Sequence, residues 1–266
     1  MAYEYLYNYI LKLQSKGKYF FTREDILKIY PGSKAAVKLA LNRLSRKKQI
    51  LSVRHGFYVI IPVEYMASGI LPPMLFIDDL MISVNKSYYL GLLNAAAING
   101  AAHQQPQEYH VITKTPLRTI NRAGIRIKFF VKSGEWKNYG LIDHKTDTGY
   151  LKVSGPELTA IDLLTYEKRI GGLNRVATIL EELSEKINPT QLLMQAQNSS
   201  ILSHIQRLGY LLDKVLNKPD LVIPLQKWLS QQRLFRVALK RDLPIKGFTL
   251  DRNWKVIINT EVESDL

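Results

Sequence analysis

Four polar side chains that can bind DNA recur at intervals of four residues in the first quarter of the chain. They are Lys34, Lys38, Asn42 and Arg46. Residues four apart lie on one face of a helix, about one turn from each other. An asparagine can pair with the N6 and N7 edge of adenine, and a lysine can reach guanine acceptors or phosphate. The spacing therefore indicates a helix face that could enter a DNA groove.

The residues between these positions predict the helix itself, from about residue 34 to residue 48. Its apolar residues recur every three or four positions, so the face opposite the polar one is expected to be buried. Ser33 precedes the helix and is a favourable N-cap. The expected buried face consists of Ala36, Val37, Ala40, Leu41 and Leu44.

A second helix is predicted immediately upstream, from Arg23 to Tyr30. Thr22 can cap it by accepting a hydrogen bond from a free amide of the first turn, and Asp25 favours the positive helix end. Pro31 disfavours helical geometry in the residue before it, and the glycine that follows can adopt a left-handed turn.

A β-hairpin is predicted after the two helices, with strands at residues 50–53 and 57–61 and a turn at residues 54–56. A supporting helix is expected at residues 3–16, and a third strand at residues 18–21. A helix, a short turn, a basic helix and a basic hairpin follow one another in winged helix-turn-helix proteins. We therefore expect a winged helix-turn-helix at residues 1–62.

This fold assigns the candidate DNA contacts to three regions. The residues expected to face the major groove are Ser33, Lys34, Lys38 and Asn42. Those toward the helix end, expected to contact phosphate, are Arg46, Lys47 and Lys48. Those at the hairpin tip, expected in the flanking minor groove, are Arg54 and His55. If about six such cations contact phosphates, log K should fall with log salt with a slope of about −5, from about −0.9 per contact.

The distribution of charge favours DNA over a solvated surface, which is the plainer interpretation of a basic amphipathic helix. Residues 1–62 contain 12 Lys+Arg and 3 Asp+Glu, a net charge of +9, whereas the whole chain carries +14. Charge concentrated in this way is typical of a domain with a polyanionic partner. A basic chain can also bind anionic lipid, but the charge lies on a mixed helix and strand unit, so we expect no membrane partner.

Length and composition bound the remaining possibilities. The chain has 266 residues, which favours two domains, and 46% of them are hydrophobic. It contains no cysteine, so disulfides and cysteine-ligated metals are excluded. We find neither a signal peptide nor an apolar run of the roughly 20 residues that a membrane span needs. The sequence therefore predicts a soluble cytoplasmic protein.

The rest of the chain predicts an α+β fold overall. Residues 63–86 should form an ordered apolar connection, with a short helix at 74–84 that places Asp78 and Asp79 on the surface. Residues 87–266 should form a larger mixed domain with a central helix at 87–102 and a small, mostly antiparallel sheet. The sheet strands are expected at 109–114, 125–132, 141–145 and 150–153, followed by helices from residue 156 and a closing strand at 251–260.

A second group of basic residues falls on the predicted sheet and beside it. They could extend the DNA-binding surface, or they could be ordinary solvated residues. They are Arg118, Arg122, Arg126 and Lys128.

Two other classes of function share parts of this pattern. An enzyme would need catalytic groups, yet the sequence has no helical zinc-site spacing and no G-x-S-x-G elbow. The nearest approach is nuclease-like, because Glu135-Trp136-Lys137 and Asp143-His144-Lys145 could hold Mg²⁺ near a phosphate. We expect no enzyme, no metal and no cofactor. A winged-helix regulator that senses a small ligand is the other alternative.

Three stretches together resemble the AbiEi family of bacterial antitoxin regulators. They are the N-terminal unit with FTREDI, the basic helix and RHGFYVI, the segment YYLGLLNAAAINGA, and the segment DRNWKVIIN near the end. The resemblance implies that the N-terminal module represses its own operon by binding inverted repeats. It also implies that the larger domain counteracts a nucleotidyltransferase-like toxin, in a class where direct antitoxin–toxin binding is not thought necessary.

Overall fold

The fold is described from a computed structural model, which covers residues 2–101, 106–134, 136, 138–199 and 201–265. The chain divides into two units of dense internal contact. Unit 1 comprises Met1–Tyr89, Gln107–Ser133 and Asp143–Lys152, and unit 2 comprises Leu90–Pro106, Gly134–Ile142 and Val153–Leu266. The division of the sequence into domains at 1–62, 63–86 and 87–266 stays a prediction.

The N-terminal part of unit 1 has the expected order of elements. They are α1 (Ala2–Gln14), β1 (Phe20–Thr22), α2 (Arg23–Ile29), α3 (Lys34–Arg46), β2 (Ile50–Arg54) and β3 (Phe57–Ile60). The three strands form an antiparallel sheet in the order β1-β3-β2. Two helices joined by a short turn and followed by a hairpin make this part a winged helix-turn-helix.

A single apolar cluster holds the three helices against this sheet. Its buried members are Leu6, Ile10, Leu13, Phe21, Ile26, Val37, Ala40, Leu41, Leu44, Ile50 and Ile60. By contrast, Tyr5 of α1 is 41% exposed. Its hydroxyl donates a hydrogen bond to the carbonyl of Ile29 at 2.9 Å, and this polar contact keeps the ring at the rim of the core.

The connecting segment of unit 1 forms a shorter helix than the sequence predicts. A 3₁₀ turn at Pro73–Leu75 precedes α4 (Ile77–Ser83). Asp78 and Asp79 are half-buried, so their predicted surface position is wrong. Asp78 Oδ1 accepts a hydrogen bond from the Tyr88 hydroxyl at 2.9 Å. Burial, reinforced by the neighbouring charge of Asp78, raises the pKa of Asp79 to about 6.

A six-stranded sheet follows, and its pairings are mixed. Its strands are β4 (Tyr88–Leu90), β5 (Tyr109–Thr113), β6 (Ile120–Arg122), β7 (Ile125–Val131), β8 (Leu141–Thr146) and β9 (Gly149–Ser154), in the order β6-β7-β5-β4-β9-β8. Strands β5 and β7 pair in parallel, as do β4 and β9, whereas β6 and β7 are antiparallel. Strand β7 pairs antiparallel with β6 on one side and parallel with β5 on the other. The sheet is therefore less antiparallel than expected.

The predicted helix at 87–102 begins later than the sequence suggests. Its first part is strand β4, and the helix α5 covers only Leu92–Ile98. Residues Tyr88–Leu90 are buried, and Leu90 pairs with Val153 of β9. Aromatic residues favour a buried strand, and Gly91 separates the two elements. Residue 102, at the predicted helix end, lies outside the described residues.

Unit 2 is mainly helical, as expected. Its helices after β9 are α6 (Pro156–Thr165), α7 (Leu173–Ser184), α8 (Pro189–Gln197), α9 (Leu202–Tyr210), continued by a π-helical turn at Leu211–Val215, and α10 (Ile223–Leu229). Three short strands complete the unit: β10 (Val237–Ala238), β11 (Leu250–Asp251) and β12 (Val256–Ile257), in the order β10-β12-β11. The predicted continuous strand at 251–260 is wrong, because a turn at residues 252–255 separates β11 from β12.

Buried polar side chains of α9 hold the end of unit 2 in place. Gln206 Nε2 donates hydrogen bonds to the carbonyls of Phe235 and Trp254, both at 2.9 Å. Arg207 is fully buried, forms an ion pair with Glu167, and donates from Nε to the carbonyl of Leu239 at 2.8 Å. These bonds fix the segment between α10 and β12 without long strands.

Among the described residues, no helix is both long and apolar enough to cross a membrane.

Candidate nucleic-acid interface

Helix α3 presents one buried and one exposed face, and local signals place both. The Ser33 hydroxyl accepts a hydrogen bond from the amide of Ala36 at 3.2 Å, so Ser33 is the N-cap that the sequence predicts. Val37, Ala40 and Leu44 are among the residues that anchor the opposite face in the core. The helix is thereby fixed in rotation, with its polar face outward.

The four residues at four-residue spacing all lie on that exposed face. Lys34, Lys38, Asn42 and Arg46 are exposed along the length of α3. Because the buried face is fixed by packing, these side chains can reach a groove without rearrangement of the helix. The geometry gives the predicted major-groove residues the exposure that base contacts require.

Two further residues of α3 belong to the same exposed face, although the four-residue spacing does not include them. Leu39 is 61% exposed, and Arg43 is also exposed. Leu39 falls outside the buried series at 37, 40, 41 and 44. An apolar residue outside that series is the sequence signal for an exposed apolar contact on this helix. An exposed apolar side chain at the middle of a recognition helix can contact a thymine methyl group.

Helix α2 is fixed at both of its ends. Thr22 and Asp25 form a reciprocal capping box, with the Asp25 amide 3.1 Å from the Thr22 hydroxyl and the Thr22 amide 2.8 Å from the Asp25 carboxylate. At the other end of α2, the ring of Tyr30 contacts that of Tyr5 edge-on at 5.4 Å. A β-carbon at Gly32 would lie 2.7 Å from Tyr30 Cζ, so the close approach of this ring requires glycine.

The wing is short and lies beside the start of α2. Its tip is the two-residue turn His55-Gly56, where Gly56 has a φ of +79°. Strand β1 pairs with β3 as far as Thr22 opposite Phe57, and the Arg23 amide donates to the Gly56 carbonyl at 2.7 Å. The wing therefore does not extend beyond the sheet that carries it.

One cleft brings together the start of α3 and the wing tip. Lys34, Arg54 and His55 line it, together with Arg23 and Glu24 among others, and its volume is about 410 Å³. His55 is exposed, whereas Arg54 is half-buried. Two of the three predicted regions of DNA contact thus adjoin each other, which the sequence alone does not reveal.

The third region, at the end of α3, is partly occupied within the protein. Lys47 Nζ lies 4.7 Å from the ring centroid of Tyr3 and donates to the Tyr3 hydroxyl at 3.0 Å. The Tyr3 hydroxyl in turn donates to Gln49 Oε1 at 3.2 Å. Arg46 and Lys48 are exposed, and Lys48 has a φ of +56° in the turn that follows the helix. Of these three cations, Lys47 is the one held against α1.

In the second basic group, too, some cations are free of acidic partners in the described residues and others are held by contacts within the protein. Arg118 and Arg122 are exposed. Arg126 and Lys128 instead share the carboxylate of Glu108, at 2.8 and 2.5 Å respectively. Burial alone would raise the pKa of Glu108, but the hydrogen bond and charge of Lys128, with the charge of Arg126, lower it. Half of this group is therefore locally neutralised, which favours a structural role for Arg126 and Lys128.

The nuclease-like triplets do not form a metal centre in the described part of the chain. Asp143, on β8, pairs with Lys152 of β9 at 2.7 Å. Glu135 and Lys137 of the other triplet lie outside the described residues. Within residues 2–101, 106–134, 136, 138–199 and 201–265, no three His, Asp or Glu side chains cluster closely enough to hold a metal ion.

A comparison with family models identifies a domain in the middle of the chain. Residues 89–214 match the family model described as the AbiEi antitoxin C-terminal domain. The match places an AbiEi-type antitoxin domain within the chain. The resemblance drawn from the sequence is thereby confirmed for these residues, and the matched domain supports an antitoxin role in a toxin–antitoxin system.

A solved structure shares the fold over nearly the whole chain. It is that of the RV2827C protein from Mycobacterium tuberculosis, with a TM-score of 0.66 and 16% sequence identity, covering 93% of this chain and 89% of that one. The likeness therefore extends beyond the AbiEi domain to the N-terminal unit and supports the α+β fold. A search of curated proteins found no match.

Proposed function

We propose that this protein is a transcriptional repressor that binds duplex DNA at the promoter of its own toxin–antitoxin operon. The observation that carries the proposal is the exposed face of α3, where Lys34, Lys38 and Asn42 stand opposite a fully buried stripe. This face adjoins the wing tip through Lys34, so major-groove and backbone contacts can be made at one site.

The distribution of charge gives this surface its affinity. Residues 1–62 carry a net charge of +9, and within the described part of the chain Lys34, Lys38 and Arg43 have no acidic partner. Cations without partners release condensed counterions when they meet phosphates. We expect an operator of inverted repeats, and a slope of log K against log salt of about −5 if about six cations contact phosphate.

The second half of the proposal concerns the toxin. We propose that the AbiEi domain counteracts a nucleotidyltransferase-like toxin encoded beside this chain, without a stable complex between the two proteins. The antitoxin description of the matched domain supports this role.

The DNA-binding half is tested with the variant Lys34→Ala/Lys38→Ala in the full chain. Gel-shift titration with the promoter fragment should show at least a hundredfold loss of affinity, because two central contacts are removed. The matched control is Lys12→Ala/Lys16→Ala, which removes the same charge from exposed positions of unit 1 and should change affinity less than threefold. Unchanged operator affinity in the first variant would exclude α3 as the recognition helix.

The toxin half is tested by co-expression with the neighbouring toxin gene. Lys34→Ala/Lys38→Ala should still suppress the growth defect caused by the toxin when it is expressed from an unrelated promoter, because the AbiEi domain is unchanged. Loss of both repression and protection in a folded variant would show that the two activities are not separable as proposed.

A further inference from the structure

A second concentration of positive charge lies after the matched AbiEi segment. Residues 218–255 contain nine Lys+Arg and three Asp+Glu, a net charge of +6, whereas residues 63–217 carry only +2 and residues 256–266 carry −3. The family match ends at residue 214. Outside the winged helix, the basic character of the chain is therefore concentrated in a segment beyond the family domain.

Four of these cations line one cleft of unit 2, which we name the basic cleft. They are Lys227, Arg233, Arg252 and Lys255, all exposed, and the cleft has a volume of about 730 Å³. It lies between the second half of α10, the loop that follows, and the turn before β12. Among the described residues that line it, none is acidic.

Two of the three acidic residues of the segment make contacts away from the cations of the basic cleft. Asp242 forms an ion pair with Lys168 at 3.6 Å. Asp251 Oδ1 accepts a hydrogen bond from the amide of Trp254 at 2.8 Å, which closes the turn that carries Arg252 and Lys255. Because Trp254 is fully buried, this turn is anchored. The basic cleft is thus pre-formed on one side, and neither Asp242 nor Asp251 lines it.

An exposed aromatic ring accompanies these cations. Phe235 is 68% exposed. The guanidinium carbon of Arg233 lies 5.6 Å from the ring centroid of Phe235, a cation–π distance. A positively charged groove beside accessible aromatic faces is the usual arrangement for binding unpaired bases, which stack on the rings while the cations contact the backbone.

We propose that the basic cleft and Phe235 bind single-stranded nucleic acid. The cations of the basic cleft contact successive phosphates, and Phe235 stacks on an unpaired base. A duplex would meet the same cations, but its bases already stack on one another and leave no face for the ring. An acidic peptide would likewise use the cations and gain little from the aromatic face. The inference is independent of duplex binding by α3.

The proposal is tested by fluorescence anisotropy with labelled 20-nucleotide oligo(U) and oligo(dT), which do not form duplexes, and the full chain. Four phosphate contacts predict a slope of log K against log salt of about −3, from about −0.7 per contact on single strands. Arg233→Gln/Arg252→Gln should weaken binding at least tenfold at 50 mM salt. Because each lost phosphate contact changes the slope by about 0.7, the slope should fall in magnitude to about −1.4. Phe235→Ala should weaken binding roughly 5- to 100-fold, and Phe235→Tyr should restore it.

Matched controls separate this surface from general charge effects and from the winged helix. Arg175→Gln/Lys186→Gln removes two exposed cations of unit 2 away from the basic cleft and should leave single-strand affinity within threefold. Arg233→Gln/Arg252→Gln should leave duplex operator affinity within threefold. Equal losses in the two double variants would overturn the proposal. So would loss of single-strand binding in Lys34→Ala/Lys38→Ala, or competition by an oligoglutamate of equal length as effective as oligo(U), which would assign the basic cleft to an acidic protein.

Discussion

The indole ring of Trp254 lies directly over Gly209 of helix α9, so closely that a β-carbon at position 209 would overlap the ring. Trp254 is fully buried, and its Nε1 donates a hydrogen bond to Asp213 Oδ2 at 2.8 Å. Both contacts join the turn before β12 to α9 and its continuation. The ring can approach the helix backbone because residue 209 has no side chain.

This contact predicts that replacing Gly209 by alanine destabilises the protein, whereas glycine-to-alanine substitutions in helices usually stabilise. In an ordinary helix interior, replacing glycine by alanine stabilises by up to about 1 kcal/mol. Gly209→Ala should instead lower the free energy of unfolding by about 2–3 kcal/mol, because the added methyl displaces the indole from a packed core. Urea denaturation followed by circular dichroism measures the difference. Ser203→Ala, on the same helix, is the control and should change stability by less than about 0.5 kcal/mol; a more stable Gly209→Ala would contradict the packing described.

The buried pair of Arg207 and Glu167 predicts strong coupling between two positions. Burial lowers the pKa of Arg207, and the adjacent charge of Glu167 opposes this shift. Glu167→Gln leaves a buried cation without its counter-charge and should cost about 3–5 kcal/mol. Replacing both residues, as Glu167→Leu/Arg207→Met, should cost less than Glu167→Gln alone, although the hydrogen bond from Arg207 to Leu239 is also lost. Chemical denaturation of the wild type and the two variants gives the comparison, and a larger loss in the double variant than in Glu167→Gln would contradict the expected coupling.

His204 predicts a loss of stability in mild acid. It is 3% exposed, its Nδ1 lies 3.0 Å from the Thr165 hydroxyl, and burial, with the charges of Arg241 and Arg207, lowers the pKa of its imidazole to about 4. The unfolded chain therefore takes up a proton between about pH 6.5 and 4 that the folded chain does not, so stability falls as the pH is lowered through this range. The contribution of this one group approaches about 3 kcal/mol at pH 4.

The measurement is the free energy of unfolding at intervals from pH 7.5 to 4.5 for the wild type and His204→Asn. The variant cannot take up this proton, so its stability should fall less steeply over the interval, even if it is lower at pH 7.5. Parallel curves would show that His204 titrates alike in the folded and unfolded chains.

Leu39 predicts a base contact that the polar residues of α3 cannot make. Because its side chain is 61% exposed, Leu39→Ala should leave the free energy of unfolding nearly unchanged. If α3 enters the major groove, the same variant should lose about 1 kcal/mol of operator affinity through contact with a thymine methyl. Replacing operator thymines by uracil tests this directly: the wild type should lose affinity at one position, and Leu39→Ala should lose none there. Equal sensitivity of both proteins to the missing methyl would exclude the contact.

The elements that sequence predicts well are those defined by neighbouring residues. The start of α2 follows from Thr22 and Asp25, and the turn before α3 follows from Pro31 and Gly32. By contrast, Tyr88–Leu90 form a strand because Leu90 pairs with Val153, more than sixty positions later. Local periodicity carries no information about such a partner.

The candidate interface likewise contains some features that local sequence predicts and others that depend on tertiary structure. The exposed face of α3 follows from helical periodicity, so Lys38 and Asn42 could be placed from sequence. The approach of Lys34 to the wing tip depends on how β1 pairs with β3, and the attachment of Lys47 to Tyr3 depends on the packing of α1 against α3. These relationships are set by tertiary structure and were not predictable from the residues alone.

The position of Trp254 has a consequence for the order of events during synthesis. A ribosome that has produced α9 has not yet made the indole that covers Gly209, nor the carbonyls that Gln206 and Arg207 bind. The polar side chains of that helix must therefore stay hydrated, and its apolar side unsealed, until about forty more residues emerge. A nascent chain stalled in this interval would expose the apolar side of α9 to solvent. Exposed apolar surface of this kind is what chaperones and proteases recognise.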